Sequence, residues 1–265
     1  MKKPHKIGIT LSGGGARGIA HIGVLDALLE NGIEPDIISG TSAGSIIGAL
    51  YAAGKTPVEM LDFVKESSIF KVFRVGLPDK GLASLKYLSE RLEEVIPEDS
   101  FEALQKPLFV AITNLLSGKL EVRNSGELYR VIMASSAIPL IFQPIDINNS
   151  VFVDGGALEN LPVRPIKRQC QAVIGVNVMP LEPVQQKSVN SMLGVAMRCF
   201  EMVIAANTRP DLRRCDVVIE PAKVRDYNIF QFQKYKDLYE IGYVTTMMQM
   251  PDIKAQLRPQ ESLKK

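Results

Sequence analysis

The chain has 265 residues, 46% of them hydrophobic, which is enough to bury the core of one large α/β domain. The formal net charge is only +2 and the basic residues are scattered, so the composition argues against a nucleic-acid-binding protein. Three unevenly spaced cysteines and two histidines match no disulfide framework or metal site. No stretch approaches the roughly 20 apolar residues of a membrane span, and the basic N-terminus is followed by too short an apolar run for a signal peptide, so we expect a cytoplasmic protein.

The predicted elements alternate between strand and helix along the chain. The pattern first predicts a strand over 6–11, a helix over 19–29, a strand over 36–39, and helices over 45–53 and from Thr56. After a loop or mobile flap over 69–83, it predicts a helix over 84–96, strands over 107–113 and 120–123, a helix over 127–134 and a strand over 151–153. The last elements are a strand over 172–178, a polar linker over 180–191, a helix from Met192, a strand over 217–219 and a helix from Tyr235.

This order of elements indicates the α/β class. Strands that alternate with helices favour a mostly parallel central sheet with helices on both of its faces. No strong boundary interrupts the pattern, so we predict a single domain over residues 1–265.

A serine lies between two glycines in Gly40-Thr41-Ser42-Ala43-Gly44, after a predicted strand and before a predicted helix. This context is typical of a nucleophile elbow, a turn so tight that side chains at its flanks would clash. The helix that follows would favour negative charge at its N-terminus, where an oxyanion develops. We therefore interpret Ser42 as a nucleophile, with an ordinary glycine-flanked turn as the alternative.

The base that would activate Ser42 is not a histidine in the usual order. In α/β-hydrolases the histidine follows the serine, but His5 and His21 both precede it. His21 fits a packed helix residue better than a base. Asp154 is the best candidate, because it follows a predicted strand and would project from the same edge of a parallel sheet as Ser42. Burial would raise the pKa of an aspartate toward a useful value, although Asp-Gly-Gly is equally typical of a surface turn.

The glycine-rich loop over residues 13–18 exposes several backbone amides between a strand and a helix. Such a concavity suits an anion, and in an acyl-transfer enzyme Gly14 and Gly15 would donate to the oxyanion together with Ala43. The same glycines also satisfy a dinucleotide fingerprint. We give that alternative less weight, because Asp36 precedes its predicted strand whereas a ribose-binding acid should follow it.

Several other residues near these motifs have two interpretations. Arg17 either steadies the glycine-rich loop or meets a phosphate headgroup. Arg209, Arg213 and Arg214 are typical of a solvated face, with contact to anionic lipid as the alternative. The helix from Met192 is expected to line or cover the pocket.

Four blocks appear in a recognisable order, and with them the chain resembles the bacterial patatin-like phospholipase family in its short single-domain form. The blocks are the glycine-rich loop over 13–18, the elbow over 40–44, Ala134-Ser135-Ser136-Ala137-Ile138-Pro139 with Phe142 and Pro144, and Asp154-Gly155-Gly156 with Asn160 and Pro162. Residues 239–243 also look like the terminal helix of the family, so the resemblance spans roughly residues 6–245.

The resemblance implies a patatin-like three-layer fold and a Ser–Asp dyad formed by Ser42 and Asp154. It implies an oxyanion hole that comprises Gly13, Gly14, Gly15, Ala16 and Ala43, and a supporting loop and turn that comprise Arg17, Gly18, Gly40, Gly44, Gly155 and Gly156. The implied reaction is acyl hydrolysis of phospholipids or lysophospholipids through an acyl-enzyme, with no metal or other cofactor. Peripheral membrane contact is compatible with it.

Two alternatives keep the same fold. One is a regulatory module without activity that binds lipid or a protein partner. The other is an acyltransferase, which passes the acyl group to a lyso-lipid instead of water.

Overall fold

The computed structural model describes residues 5–66 and 83–257. The loop or flap predicted over 69–83 lies outside the described residues except for Ala83, which forms an isolated parallel bridge with Phe142. The strands are β1 (His5–Leu11), β2 (Ile37–Gly40), β3 (Leu108–Asn114), β4 (Lys119–Arg123), β5 (Ile145–Ile147), β6 (Ser150–Asp154), β7 (Cys170–Val176) and β8 (Val217–Ile219). The helices are α1 (Ala20–Glu30), α2 (Ala43–Ala52), α3 (Pro57–Glu66), α4 (Lys86–Val95), α5 (Leu128–Ser135), α6 (Arg164–Lys167), α7 (Met192–Leu212) and α8 (Tyr235–Leu257).

Most predicted elements are present, with bounds that differ by a few residues. The helix after the elbow begins at Ala43 rather than Ser45. The predicted linker over 180–191 contains a 3-10 turn, Gln186–Val189. At the start of α3, the amide of Thr56 donates to Glu59 Oε2 at 2.8 Å and the amide of Glu59 donates to Thr56 Oγ1 at 3.3 Å, which is a capping box.

The prediction missed two short elements, β5 and α6. Strand β5 pairs with β6 through a two-residue turn in which Asn148 and Asn149 have φ values of 48° and 61°. Asparagine tolerates this left-handed conformation, so the Asn-Asn pair between two apolar stretches was a usable hairpin signal.

The eight strands form one sheet in which neighbours along the path β5-β6-β3-β2-β1-β7-β8 are paired, and β4 is also paired with β3. The pairs β1–β2, β1–β7, β2–β3 and β7–β8 are parallel, and the pairs β3–β4, β3–β6 and β5–β6 are antiparallel. The predicted fold class, a mostly parallel sheet, is therefore confirmed.

Both faces of the sheet are buried. Alternate residues of the central strands enter two different hydrophobic clusters: Ile38 and Ile174 lie in the larger one, while Ile37 and Val173 lie in the other. The larger cluster includes side chains of α1, α2, α5 and α8, and the other includes residues of α6 and the end of α7. Helices thus cover the sheet on both sides, which makes three layers.

The direction of β6 differs from the expectation. We expected Asp154 to follow a strand parallel to that of Ser42, but β6 runs antiparallel to β3. Strand β4 occupies one edge of β3 over residues 110–114, so β2 and β6 must share the other edge. Gly40 pairs with Val110 and Asp154 with Ile112, so the two strands end facing each other, roughly 7 Å apart along β3.

No helix among residues 5–66 and 83–257 is long and apolar enough to span a bilayer.

Candidate active site

Ser42 occupies a sharp turn between β2 and α2. Its φ and ψ of 52° and −126° lie in a region that L residues rarely adopt, at a cost on the order of 1–3 kcal/mol. The chain is crowded on both sides of Ser42. A Cβ added at Gly44 would lie 2.2 Å from the Leu11 carbonyl oxygen, and a Cβ added at Gly40 would lie 2.5 Å from the Gly44 carbonyl oxygen. Only glycine fits at these positions, and the serine side chain is held in a buried pocket, 5% exposed.

Asp154 ends β6 with its carboxyl group turned toward this serine. The carboxylate accepts a hydrogen bond from the amide of Gly156 at 2.8 Å, and the Ser42 hydroxyl is close enough to stabilise its charged form. The residue is 3% exposed, and burial raises the pKa of Asp154 to about 7 although the Ser42 hydroxyl and the Gly156 amide both act to lower it. An aspartate with this pKa can accept a proton from a serine near neutral pH.

The turn after Asp154 needs a glycine for a steric reason. A Cβ added at Gly155 would lie 2.3 Å from the Ala111 carbonyl oxygen, because the turn passes directly over β3. Gly155 and Gly156 therefore allow the chain to leave β6 while the Asp154 side chain stays beside Ser42.

The amides of the glycine-rich loop divide into two groups. Gly13 donates to Asn160 Oδ1 at 3.1 Å, and Ala16 donates to the Ile229 carbonyl at 2.7 Å. The expectation that these two residues supply oxyanion-hole donors is therefore wrong, because both amides are already used. For the amides of Gly14, Gly15 and Ala43, no acceptor is present among the described residues. These three amides are free to bind an oxyanion.

Asn160 joins the loop to the Asp154 turn, a function that its place in the sequence did not reveal. Its Oδ1 accepts from Gly13, and its backbone amide donates to Asn207 Oδ1 at 3.0 Å. Asn207 Nδ2 in turn donates to the Gly156 carbonyl at 2.8 Å. The Asn160 Nδ2 group is buried with no acceptor in the described part of the chain, and Asn160 lines the same cavity as Ser42 and Asp154.

Arg17 ties the glycine-rich loop to neighbouring segments of the chain. Its Nε donates to the Tyr227 carbonyl at 2.8 Å, and its two terminal nitrogens donate to Met179 Sδ and the Arg225 carbonyl. Gly18 supports the loop differently: a Cβ added there would lie 2.4 Å from the Cβ of Ala43. The loop can therefore approach the start of α2 only if residue 18 is glycine.

Two cavities meet at Ser42 and Gly15. One is almost entirely apolar, with walls that include Ile46, Leu85, Leu88, Ile138, Phe142, Ile229, Phe230 and Phe232. The other contains Asp154 and Asn160 and is closed by Met197, Phe200, Glu201 and Ile204 of α7. The prediction that the helix from Met192 lines the pocket is thereby confirmed.

The other candidate residues lie away from Ser42. His21 is fully buried, its Nε2 lies 2.8 Å from the Ser12 carbonyl oxygen, and burial lowers its pKa to about 4. It is therefore a packed, neutral helix residue, as expected. Asp36, the acid considered for a dinucleotide ribose, accepts from the Ile7 amide at 3.0 Å at the far end of β2. Across residues 5–66 and 83–257, no group of three His, Cys, Asp or Glu side chains could hold a metal ion.

Known proteins resemble this chain in both sequence and fold. It is 33% identical over 266 residues to lysophospholipase NTE1 of Saccharomyces cerevisiae, which covers 89% of this chain and 16% of that protein. It is also 33% identical over 174 residues to lysophospholipase NTE1 of Yarrowia lipolytica, which covers 63% of this chain and 12% of that protein. The chain thus spans less than a fifth of the length of these relatives. Both are yeast proteins, so they do not support the bacterial form of the family.

Two solved structures share the fold at low sequence identity. Human GIVD cytosolic phospholipase A2 has a TM-score of 0.57 and 10% identity, covering 97% of this chain and 62% of that one. VipD from Legionella pneumophila has a TM-score of 0.50 and 18% identity, covering 94% of this chain and 67% of that one. The family described as patatin-like phospholipase matches residues 9–166. Because this match covers more than half of the chain, the protein belongs to the patatin-like phospholipase family.

Proposed function

We propose that this protein is a serine carboxylic ester hydrolase that cleaves acyl esters of phospholipids or lysophospholipids. The observation that carries the proposal is the position of Asp154, a buried carboxylate with a pKa of about 7, beside Ser42 in one cavity. A serine in a strained turn beside a base of matched pKa is the arrangement that nucleophilic catalysis requires.

The reaction follows from the positions of these groups. Asp154 accepts the hydroxyl proton as Ser42 Oγ attacks the ester carbonyl carbon. The amides of Gly14, Gly15 and Ala43 then donate to the oxyanion, and removal of one such donor typically costs about 3 kcal/mol of transition-state stabilisation. Asp154 returns the proton to the leaving alcohol, and water repeats the sequence on the acyl-enzyme.

The substrate class rests on two kinds of support. The apolar cavity beside Ser42 suits an acyl chain, because its walls are mostly aliphatic and aromatic. The two yeast relatives are named lysophospholipases. Both favour a lipid ester over a small polar one.

The test is hydrolysis of a short p-nitrophenyl ester by the wild type, Ser42→Ala and Asp154→Asn. Each variant should lose roughly 10³-fold or more in kcat, because a nucleophile and its base act as a unit. Ser136→Ala is a matched control, since this serine lines the same cavity but has no role in the proposed chemistry. A fluorophosphonate should label the wild type and not Ser42→Ala.

The result also separates the alternatives. Full hydrolysis by Ser42→Ala would show that the proposed nucleophile is wrong. A wild type that neither hydrolyses the ester nor reacts with the fluorophosphonate would favour a regulatory module. Transfer of the acyl group to an added lyso-lipid in preference to water would identify an acyltransferase.

A further inference from the structure

Helix α7 has two apolar faces, one that is turned toward the catalytic cavity and one that is exposed. The inner face carries Met197, Phe200 and Ile204, which close the cavity that contains Ser42 and Asp154. The outer face carries side chains that recur at helical spacing, and all of them are exposed: Met192, Val195, Cys199, Met202, Val203 and Ala206. We call these six residues the outer stripe.

The outer stripe contains no charged residue over four turns of helix. The charged side chains of this part of α7 lie beside it, and Arg198 Nη1 pairs with Glu201 at 2.9 Å. Met192 is 91% exposed and Met202 is 53% exposed. A continuous apolar surface of this kind is uncommon on a protein that is surrounded only by water, and it commonly marks a site of interaction.

The charges next to the stripe are mainly positive. Arg209 and Arg213 are exposed near its C-terminal end, and no acidic group pairs with either in the part of the chain that the structure describes. Lys187 is exposed just before its N-terminal end. The acidic residue near that C-terminal end, Asp211, is buried and pairs with Arg214 at 2.8 Å.

We propose that the outer stripe of α7 binds an anionic lipid surface. This inference rests on the proposed function, because a lipid ester hydrolase obtains its substrate from a membrane or another lipid aggregate. An apolar helix face with cations at its border matches such a surface, since the apolar side chains enter the acyl region and the cations meet anionic headgroups. Because the inner face of the same helix closes the catalytic cavity, binding would bring that cavity next to the lipid.

The experiment measures co-sedimentation of the full chain with vesicles of ether-linked lipids, which an ester hydrolase cannot cleave. One set contains phosphatidylcholine and phosphatidylglycerol in equal amounts, and the other contains phosphatidylcholine alone. Met202→Glu places a charge in the stripe and should weaken binding to the anionic vesicles by roughly tenfold or more. Met248→Glu is the matched control, because this methionine is 78% exposed on α8, and it should bind as the wild type does.

A second variant tests the charges. Replacing Arg209 and Arg213 with glutamine should weaken binding to the anionic vesicles and leave binding to phosphatidylcholine alone unchanged. Added salt should weaken wild-type binding and have less effect on this variant, because exposed charges are screened.

Three outcomes would overturn the proposal. The first is that the wild type does not bind the anionic vesicles, and the second is that Met202→Glu binds them as well as the wild type does. The third is that the wild type is a dimer and Met202→Glu is a monomer, which would make the outer stripe a contact between two copies of the chain. Hydrolysis of the short soluble ester distinguishes this failure from failure of the proposed function. Met202→Glu should hydrolyse the short ester as the wild type does. If the wild type does not hydrolyse this ester, the result counts against the proposed chemistry instead.

Discussion

The backbone amide of Ser42 donates a hydrogen bond to the hydroxyl of Ser135 at 2.8 Å. The Ser135 hydroxyl donates in turn to the Ala111 carbonyl at 2.8 Å, so the elbow is tied through the end of α5 to strand β3. The amide of a residue with positive φ would otherwise be buried without an acceptor. Ser135 therefore helps to hold Ser42 in its strained conformation, although it does not contact the reacting atoms.

Ser135→Ala should lower the free energy of unfolding by about 1–3 kcal/mol, because the buried Ser42 amide would lose its acceptor. It should also lower kcat, since the elbow would relax. Denaturant unfolding and ester hydrolysis measure the two effects. Ser136→Ala is the control for stability: the Ser136 hydroxyl is buried but has no partner among the described residues, so its removal should cost little. Equal destabilisation by both variants would contradict this assignment.

Asp154→Asn should inactivate the protein and also stabilise it above neutral pH. The pKa of Asp154 is raised from 3.8 to about 7 by burial, so the folded state keeps a proton that the unfolded state releases between these values. The stability that Asp154 contributes is therefore fully present below about pH 4 and is lost as the pH rises to about 7. Over this range the free energy of unfolding of the wild type should fall by a few kcal/mol because of this group. An uncharged asparagine avoids this loss.

The measurement is the unfolding free energy of the wild type and Asp154→Asn across this pH range. The difference between them should be small at the acid end, grow as pH rises and level off above about pH 7. Burial also raises the pKa of Glu159 to about 7, and this group contributes equally to both proteins. A pH-independent difference would show that Asp154 is not a buried group with a raised pKa.

The pH dependence of kcat/KM should rise through an apparent pKa of about 7 as Asp154 loses its proton. Such a profile resembles that of a histidine base, so His21 needs a direct test. His21→Gln should leave the apparent pKa in place, because burial lowers the pKa of His21 to about 4 and its ring contacts the Ser12 carbonyl. If kcat/KM of His21→Gln no longer increased with pH around pH 7, His21 would be the titrating group.

Gly18→Ala should destabilise the protein by about 1–3 kcal/mol, since the added Cβ would lie 2.4 Å from the Cβ of Ala43. Ala43→Gly removes that Cβ and alone should cost at most about 1 kcal/mol, because glycine is a poor helix former. The double variant should be more stable than the sum of the two single effects predicts. Additive effects would mean that the loop and the start of α2 do not press against each other at this point.

The sequence by itself determined the order of most strands and helices, although it missed β5 and α6, and it determined the position of the nucleophile elbow. Apolar periodicity is a local property, and strands such as β1 and β8 need no distant contact to be recognised. The glycine-serine-glycine pattern around Ser42 is also readable locally, and at Gly40 the turn itself excludes a side chain, whereas at Gly44 the excluding group is the Leu11 carbonyl of β1. The order of four motifs was enough to indicate the patatin-like phospholipase family.

Only the tertiary structure decided how Asp154 reaches Ser42 and which amides face the site. The direction of β6 depends on its pairing with β3, and local periodicity does not specify the partner of a strand. Likewise, Gly13 and Ala16 look like their neighbours in the sequence, but Asn160 and Ile229 use their amides. A hydrogen bond between residues far apart along the chain exists only after the fold has brought them together.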